Sequence, residues 1–253
     1  MAARYIRKGF TKDATETKEF YKAIGKSLYE LRNKSFPIKS ELIKSIGSIC
    51  TPKMTGSKVK TVVTYNFDDL IEREFDDRSM DTHSIYNSTE ICSNEELPIY
   101  HVHGFLPQDE TMYEGLDRST LVFSEEGYHQ IYLDSYHWSN LVQLNNLKDN
   151  TCIMIGLSMT DPNLRRLLEI SSGTEERSKH YAFLRRISDE NFCYKKSDKG
   201  NRVKALRNVD GAKEFLNTHH VLNEEIMDEL GVTIIWYEDH DELPGLLTRI
   251  KNG

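Results

Sequence analysis

Two short segments hold side chains whose types and spacing could do chemistry together: Thr61–Asp69 (TVVTYNFDD) and His101–Gly104 (HVHG). In each, an apolar run stops abruptly at polar residues. Val59–Tyr65 ends at Asn66 and the acidic pair Asp68–Asp69, and Pro98–Val102 ends at His103-Gly104. Asn is both donor and acceptor and stays neutral, so Asn66 can hold a sugar hydroxyl or an attacking water without competing for its proton. Asp68 can anchor the turn or the N-terminus of a following helix. Both residues can equally be no more than caps of that helix. A histidine can accept a proton at neutral pH, which suits His103 to a general-base role. Alternation along a strand would put His101 and His103 on one side. Either can instead be a satisfied structural histidine, and the pair could be half of a metal site. The spacing supplies no third ligand, which argues against a metal. Gly104 would let a ligand approach the backbone closely. A third segment, Ile155–Pro162 (IGLSMTDP), has a glycine at a strand end, then small hydroxyl residues, then a helix cap. Such a turn can cradle a phosphate or ribose, although many α/β proteins have one only for packing.

The elements that must position these residues are legible in outline. Residues 14–32 read as a helix with Phe20, Ile24, Leu28 and Leu31 on one face. Pro37 opens a second helix, with Ile38, Leu42, Ile46 and Ile49 as its stripe. Val59–Tyr65 is a β-branched strand of the kind buried on both faces in parallel sheets, and Asp68–Phe75 is a helix. Residues 76–97 have no apolar period and read as irregular. Pro98–His103 is the next strand, 107–119 a polar loop, and Leu121–Phe123 a short strand or bridge. Ser124 caps a long helix to about Leu147. Cys152–Gly156 is the most apolar strand, and Asp161-Pro162 caps a helix. Tyr181–Leu184 is a strand, 188–208 a charged loop with a helical start, Lys213–Leu230 a helix, Val232–Tyr237 a strand and Leu243–Ile250 a helix. Strand–helix alternation implies an α/β fold, a mainly parallel sheet with helices on both faces. The expectation is a single domain over 1–253, with a helical part at 1–57 and the α/β core at 58–253.

Composition narrows the class. The 253 residues are 38% hydrophobic and 29% charged, with mean hydropathy −0.59. No apolar run approaches the roughly 20 residues of a membrane helix, and the N-terminus has no signal-peptide core, so a cytoplasmic protein with no membrane partner is expected. Cys50, Cys92, Cys152 and Cys193 are scattered, which disfavours a disulfide framework or a four-cysteine zinc site. Residues 1–60 carry 14 Lys+Arg against 5 Asp+Glu, a balance of +9; residues 61–253 carry 19 against 35, a balance of −16. The basic stretch is either a solvated helical surface or a contact with nucleic acid, an acidic subunit face or a phosphate-bearing ligand.

In order and spacing, TYNFDD, HVHG and GLSMTDPN resemble the sirtuin-like domain family, and more closely its bacterial branch lacking the zinc module, found in NAD-hydrolysing proteins of anti-phage defence. Leu121–Tyr128 (LVFSEEGY), Asn150–Leu168 and Gly231–Leu246 fit the same pattern. The resemblance implies a Rossmann-like NAD-binding sheet. It assigns catalysis to Asn66 and His103, and dinucleotide binding to Thr64, Asp68, Gly104, Gly156, Leu157 and Ser158. NAD would be the substrate, with no metal, and the partners a homo-oligomer or a fused or associated defence subunit. The scattered cysteines favour hydrolysis of the nicotinamide–ribose bond over protein deacylation. The family begins with a strand and a glycine turn that binds the pyrophosphate, and this sequence has none: Gly9 and Gly25 are isolated. The chain reads as starting after that unit, either as a fragment or as a natural variant, and another chain could supply the missing piece. A sheet edge should then be bare beside Val59–Tyr65 or Cys152–Gly156. The absent turn also keeps a non-catalytic binding or assembly module as an alternative.

Overall fold

The computed structural model describes residues 16–30, 39–52, 59–119, 121–122, 128, 131–173, 179–196 and 202–252. The chain divides into two compact units, residues 1–141 with 246–253, and residues 142–245. The α/β class holds in both, and the main sheets are parallel.

The first unit begins with helix α1 (Glu16–Tyr29), which buries Phe20. Helix α2 (Glu41–Cys50) starts after Ser40, not at Pro37. The Ser40 hydroxyl accepts from the Ile43 N–H, so a side-chain cap sets the start; Pro37 and Ile38 lie outside the described residues. Strand β1 (Val62–Thr64) leads into helix α3 (Leu70–Asp77). Strands β2 (Thr82–Ile85) and β3 (Leu97–His101) complete a parallel sheet in the order β1-β3-β2. Strand β2 falls inside the stretch expected to be irregular. Its sequence, THSI, buries only Ile85, so it has no apolar signature to read. Beneath the sheet Phe75, Ile99 and Cys50 pack with Ile46, Val62, Ile71 and Leu97.

The long helix expected from Ser124 to Leu147 is interrupted. Residues 131–133 are helical, 134–137 form a turn, and helix α4 (Trp138–Asp149) follows; Ser124–Gly127 and Phe123 lie outside the described residues. Asp134 Oδ1 accepts from Tyr136 N–H, and Asn140 Nδ2 donates to the carbonyls of Ile131 and Asp134. These side chains satisfy backbone groups that a continuous helix would have paired.

In the second unit, strand β4 (Ile153–Met154), helix α5 (Pro162–Ser172) and strand β5 (His180–Arg185) alternate as expected. Helix α6 (Asp189–Cys193) leads into an antiparallel pair, β6 (Tyr194–Lys196) and β7 (Arg202–Lys204). The pair replaces the expected loop, and the Arg202 guanidinium lies 3.6 Å from the Tyr194 ring centroid. Helix α7 (Val209–Glu229) and strand β8 (Val232–Tyr237) follow, and helix α8 (Leu243–Asn252) lies mostly in the 246–253 segment that belongs to the first unit. The sheet order is β4-β5-β8, all parallel, over a core of Leu164, Leu167, Leu168, Met154, Ala182, Met227 and Val232. Among the described residues β1 pairs only with β3 and β4 only with β5, so each has one unpaired side in its own sheet. No helix among the described residues is long and apolar enough to cross a membrane.

Candidate active site

The register Thr64↔His101 aligns the C-terminal ends of β1 and β3. Asn66 and His103 each lie two residues past that pair, at the end where ligands of parallel sheets sit. The two turns touch: the rings of Tyr65 and His103 meet edge to face, with centroids 4.5 Å apart. Thr64 is buried, and its Oγ1 accepts from the Asn66 N–H at 3.1 Å. Asn66 is exposed, and no described residue hydrogen-bonds its side-chain amide.

Strand β3 stops at His101, so the expected alternation of His101 and His103 on one face does not hold. Gly104 N–H donates to the His101 carbonyl at 3.1 Å, closing a turn whose Gly104 has φ +102°, a conformation that favours glycine. The turn sends the histidines apart. His103 is half-buried beside Tyr65, and its carbonyl accepts from Val122 N–H at 2.7 Å, although residues 121–122, expected as a short strand or bridge, form neither. His101 is fully buried. Its Nδ1 lies 3.3 Å from the Asn66 carbonyl and its Nε2 lies 2.6 Å from Glu72 Oε1. His101 is therefore a satisfied structural histidine.

Asp68 and Asp69 divide the work of holding the turn. Asp68 Oδ1 accepts from Leu70 N–H at 3.1 Å. Burial pushes its carboxyl above the ordinary value; the Leu70 N–H pulls it back, and the charges of Glu72 and Asp69 add to the rise. Asp69 is buried, pairs with Arg73 at 2.9 Å and accepts from Gln108 N–H at 3.1 Å. The Tyr29 hydroxyl lies 3.1 Å from Asp69 Oδ1 and 2.7 Å from the Leu106 carbonyl, and burial raises its pKa. Glu72 and Tyr29 are missed by sequence reasoning, which names Asp69 only as half of an acidic pair. Glu72 lies in the first turn of α3, where an acid is ordinary, so no spacing in the sequence singles it out.

The Gly156–Ser158 turn belongs to the second unit. Gly156 has φ +73° and is exposed, Leu157 packs against the core, and Ser158 is exposed with its hydroxyl 2.7 Å from that of Thr160. Asp161 Oδ1 accepts from Leu164 N–H at 2.8 Å, with Pro162 at the first helical position of α5. Exposed hydroxyls and a glycine before a capped 11-residue helix suit an anionic or ribose group. Cys50, Cys92, Cys152 and Cys193 are free thiols, and burial raises Cys50 and Cys152 to about 11. Among the described residues no group of His, Cys, Asp and Glu gathers to hold a metal ion.

Residues 60–206, more than half of the chain, match the SIR2-like domain. This chain belongs to the SIR2-like domain family. The matched span of this SIR2-like domain contains Thr64, Asn66, Asp68, His103, Gly104 and Gly156–Ser158. Among curated proteins it is similar to the NAD(+) hydrolase ThsA of Enterococcus faecium, 28% identical over 139 residues, which is 53% of this chain and 27% of ThsA. It is similar also to the uncharacterized protein y4cA of Sinorhizobium fredii, 28% identical over 136 residues, covering 50% of this chain and 10% of that protein. The SIR2-like chain thus spans about a quarter and a tenth of the lengths of these two relatives.

Proposed function

We propose that this SIR2-like chain hydrolyses NAD at the nicotinamide–ribose bond, with Asn66 and His103 as its catalytic residues. The observation that carries the reading is the register that sets both residues past the paired ends of adjacent parallel strands. Likeness to a protein named as an NAD(+) hydrolase supports the choice of substrate.

In the reaction the C1′–N bond to nicotinamide breaks and its electron pair leaves with nicotinamide, while positive charge develops on the ribose. Water attacks C1′, giving ADP-ribose and a proton. The exposed Asn66 amide would orient the ribose or the water. His103 would take the proton of that water or of a ribose hydroxyl. Thr64, Asp68 and Gly104 would shape the turn that meets the nucleotide; Gly156, Leu157 and Ser158, in the second unit, would be dinucleotide-binding residues by the family likeness alone. The fit is to a substrate only, with no metal in the scheme. The reading extends to one SIR2-like domain over 1–253, to NAD depletion in anti-phage defence, and to self-association or association with a defence subunit.

A second reading is a binding module without turnover. It predicts no NAD consumption and no NAD-induced thermal shift. The test is NAD loss in the complete protein for Asn66→Ala and His103→Ala. Each is expected to slow turnover by about 10²-fold or more, the scale of lost acid–base or positioning catalysis. Parent-like NAD consumption by both variants would overturn the assignment.

A further inference from the structure

Behind the exposed Asn66 lies a buried pair that the reaction scheme does not use. His101 has no exposed surface and Glu72 is 4% exposed. His101 Nε2 and Glu72 Oε1 are 2.6 Å apart, and Ser84 on β2 donates to the same oxygen at 2.9 Å. Among the described residues Glu72 Oε2 is buried with no hydrogen-bond partner, so the carboxylate's bonding there is concentrated on Oε1. Phe105 packs on the His101 ring at 4.0 Å, and Tyr86 and Tyr113 pack on Phe105 at 5.3 and 4.8 Å, which shields the pair from water.

We propose that Glu72 and His101 are positioning residues that fix the main chain of Asn66 and so aim its side-chain amide at the reacting ribose; this rests on the NAD-hydrolysis reading above. The Asn66 main chain is held at both ends. Its N–H donates to Thr64 Oγ1 at 3.1 Å, and its carbonyl lies 3.3 Å from His101 Nδ1. A carbonyl only accepts, so Nδ1 carries a proton; a carboxylate also only accepts, so a second proton lies between Nε2 and Glu72 Oε1. The Glu72 contact thereby holds the ring orientation, as a carboxylate behind a functional histidine does. The main chain sets the direction of the Asn66 Cα–Cβ bond, and so the point from which its amide reaches the substrate. A buried ion pair is weak support for stability, because apolar side chains of similar volume serve as well or better. Apolar side chains cannot donate to the Asn66 carbonyl. Catalytic geometry tolerates only about 0.5 Å of drift, so loss of that bond should lower kcat while substrate binding is kept.

The test compares the complete parent protein with Glu72→Leu/His101→Leu, which removes the donor without stranding a charge, and with Glu72→Gln, whose amide N–H can donate to an unprotonated Nε2 and so keep the proton on Nδ1. The double variant is expected to lose at least about tenfold in kcat with KM within about threefold, and Glu72→Gln to keep kcat within about threefold. Parent-like kcat in a folded double variant overturns the proposal. A long-range ¹H–¹⁵N spectrum of the parent at neutral pH decides the same point without activity: a protonated His101 Nδ1 is expected, and an unprotonated one overturns the proposal even if the double variant does not fold. If the parent consumes no NAD, or Asn66→Ala consumes it like the parent, the hydrolysis reading fails, while the ring-nitrogen spectrum still supports or overturns the hold on Asn66.

Discussion

At Asp68, burial opposes charge and a single backbone N–H supports it. The folded pKa lies above the ordinary 3.8, so the residue contributes stability that is full below that value and is lost as pH rises through the folded value. Asp68→Asn keeps an acceptor for the Leu70 N–H. Relative to the parent it should therefore gain stability between acid and neutral pH. Urea midpoints at about pH 3.5 and pH 7 check this, and an equal difference at both pH values would contradict it. At this scale the sequence was informative where a strand ends. Asn66 and His103 could be found because an apolar run stops at each. His101 was misplaced because alternation was extended through a residue that already belongs to a turn, and only the Gly104 N–H to His101 carbonyl bond shows where the strand stops. Glu72 stayed hidden because an acid in the first turn of a helix ordinarily faces water.

Helix α2 crosses α3 at a position that reverses a usual rule. Gly to Ala inside a helix normally stabilises by about 1 kcal/mol. A Cβ at Gly47 would lie 2.6 Å from Arg78 Nε and 2.7 Å from Glu74 Cγ. Those side chains cannot simply move aside: Arg78 pairs with Glu74 at 2.6 Å and donates to the Lys44 carbonyl at 2.9 Å. Gly47→Ala is therefore predicted to destabilise by about 1–3 kcal/mol, read from chemical denaturation, and a gain in stability would refute the packing described. Elements with a clear period were legible. Strand β8 matches its expected bounds, because Val232–Tyr237 is continuously apolar or β-branched between a glycine and an acidic run. Strand β2 and the β6–β7 pair were not, because polar strands carry no hydrophobic alternation and their pairing is set by partners distant in sequence. The break at Asp134–His137 depends on hydrogen bonds from Asp134 and Asn140 that the apolar spacing through Ile131, Trp138 and Leu141 does not encode.

At the scale of the whole chain, each unit has its own core. Phe75 is fully buried in the first and Leu168 in the second. Phe75→Ala should cost about 3–5 kcal/mol and Leu168→Ala about 2–5 kcal/mol, because each leaves a cavity. Denaturation followed by probes within each unit checks both, and a loss under 1 kcal/mol at either would contradict the burial described. The α/β class was legible from strand–helix alternation, whereas the division into two units has no linker in the sequence to announce it. The central claim is that Asn66 takes part in breaking the nicotinamide–ribose bond. Its most direct test is nicotinamide release from NAD by the complete protein beside Asn66→Ala. The account predicts one nicotinamide and one ADP-ribose per NAD from the parent and a rate lower by about 10²-fold in the variant. Equal rates from the two proteins, or no release from the parent, would contradict it.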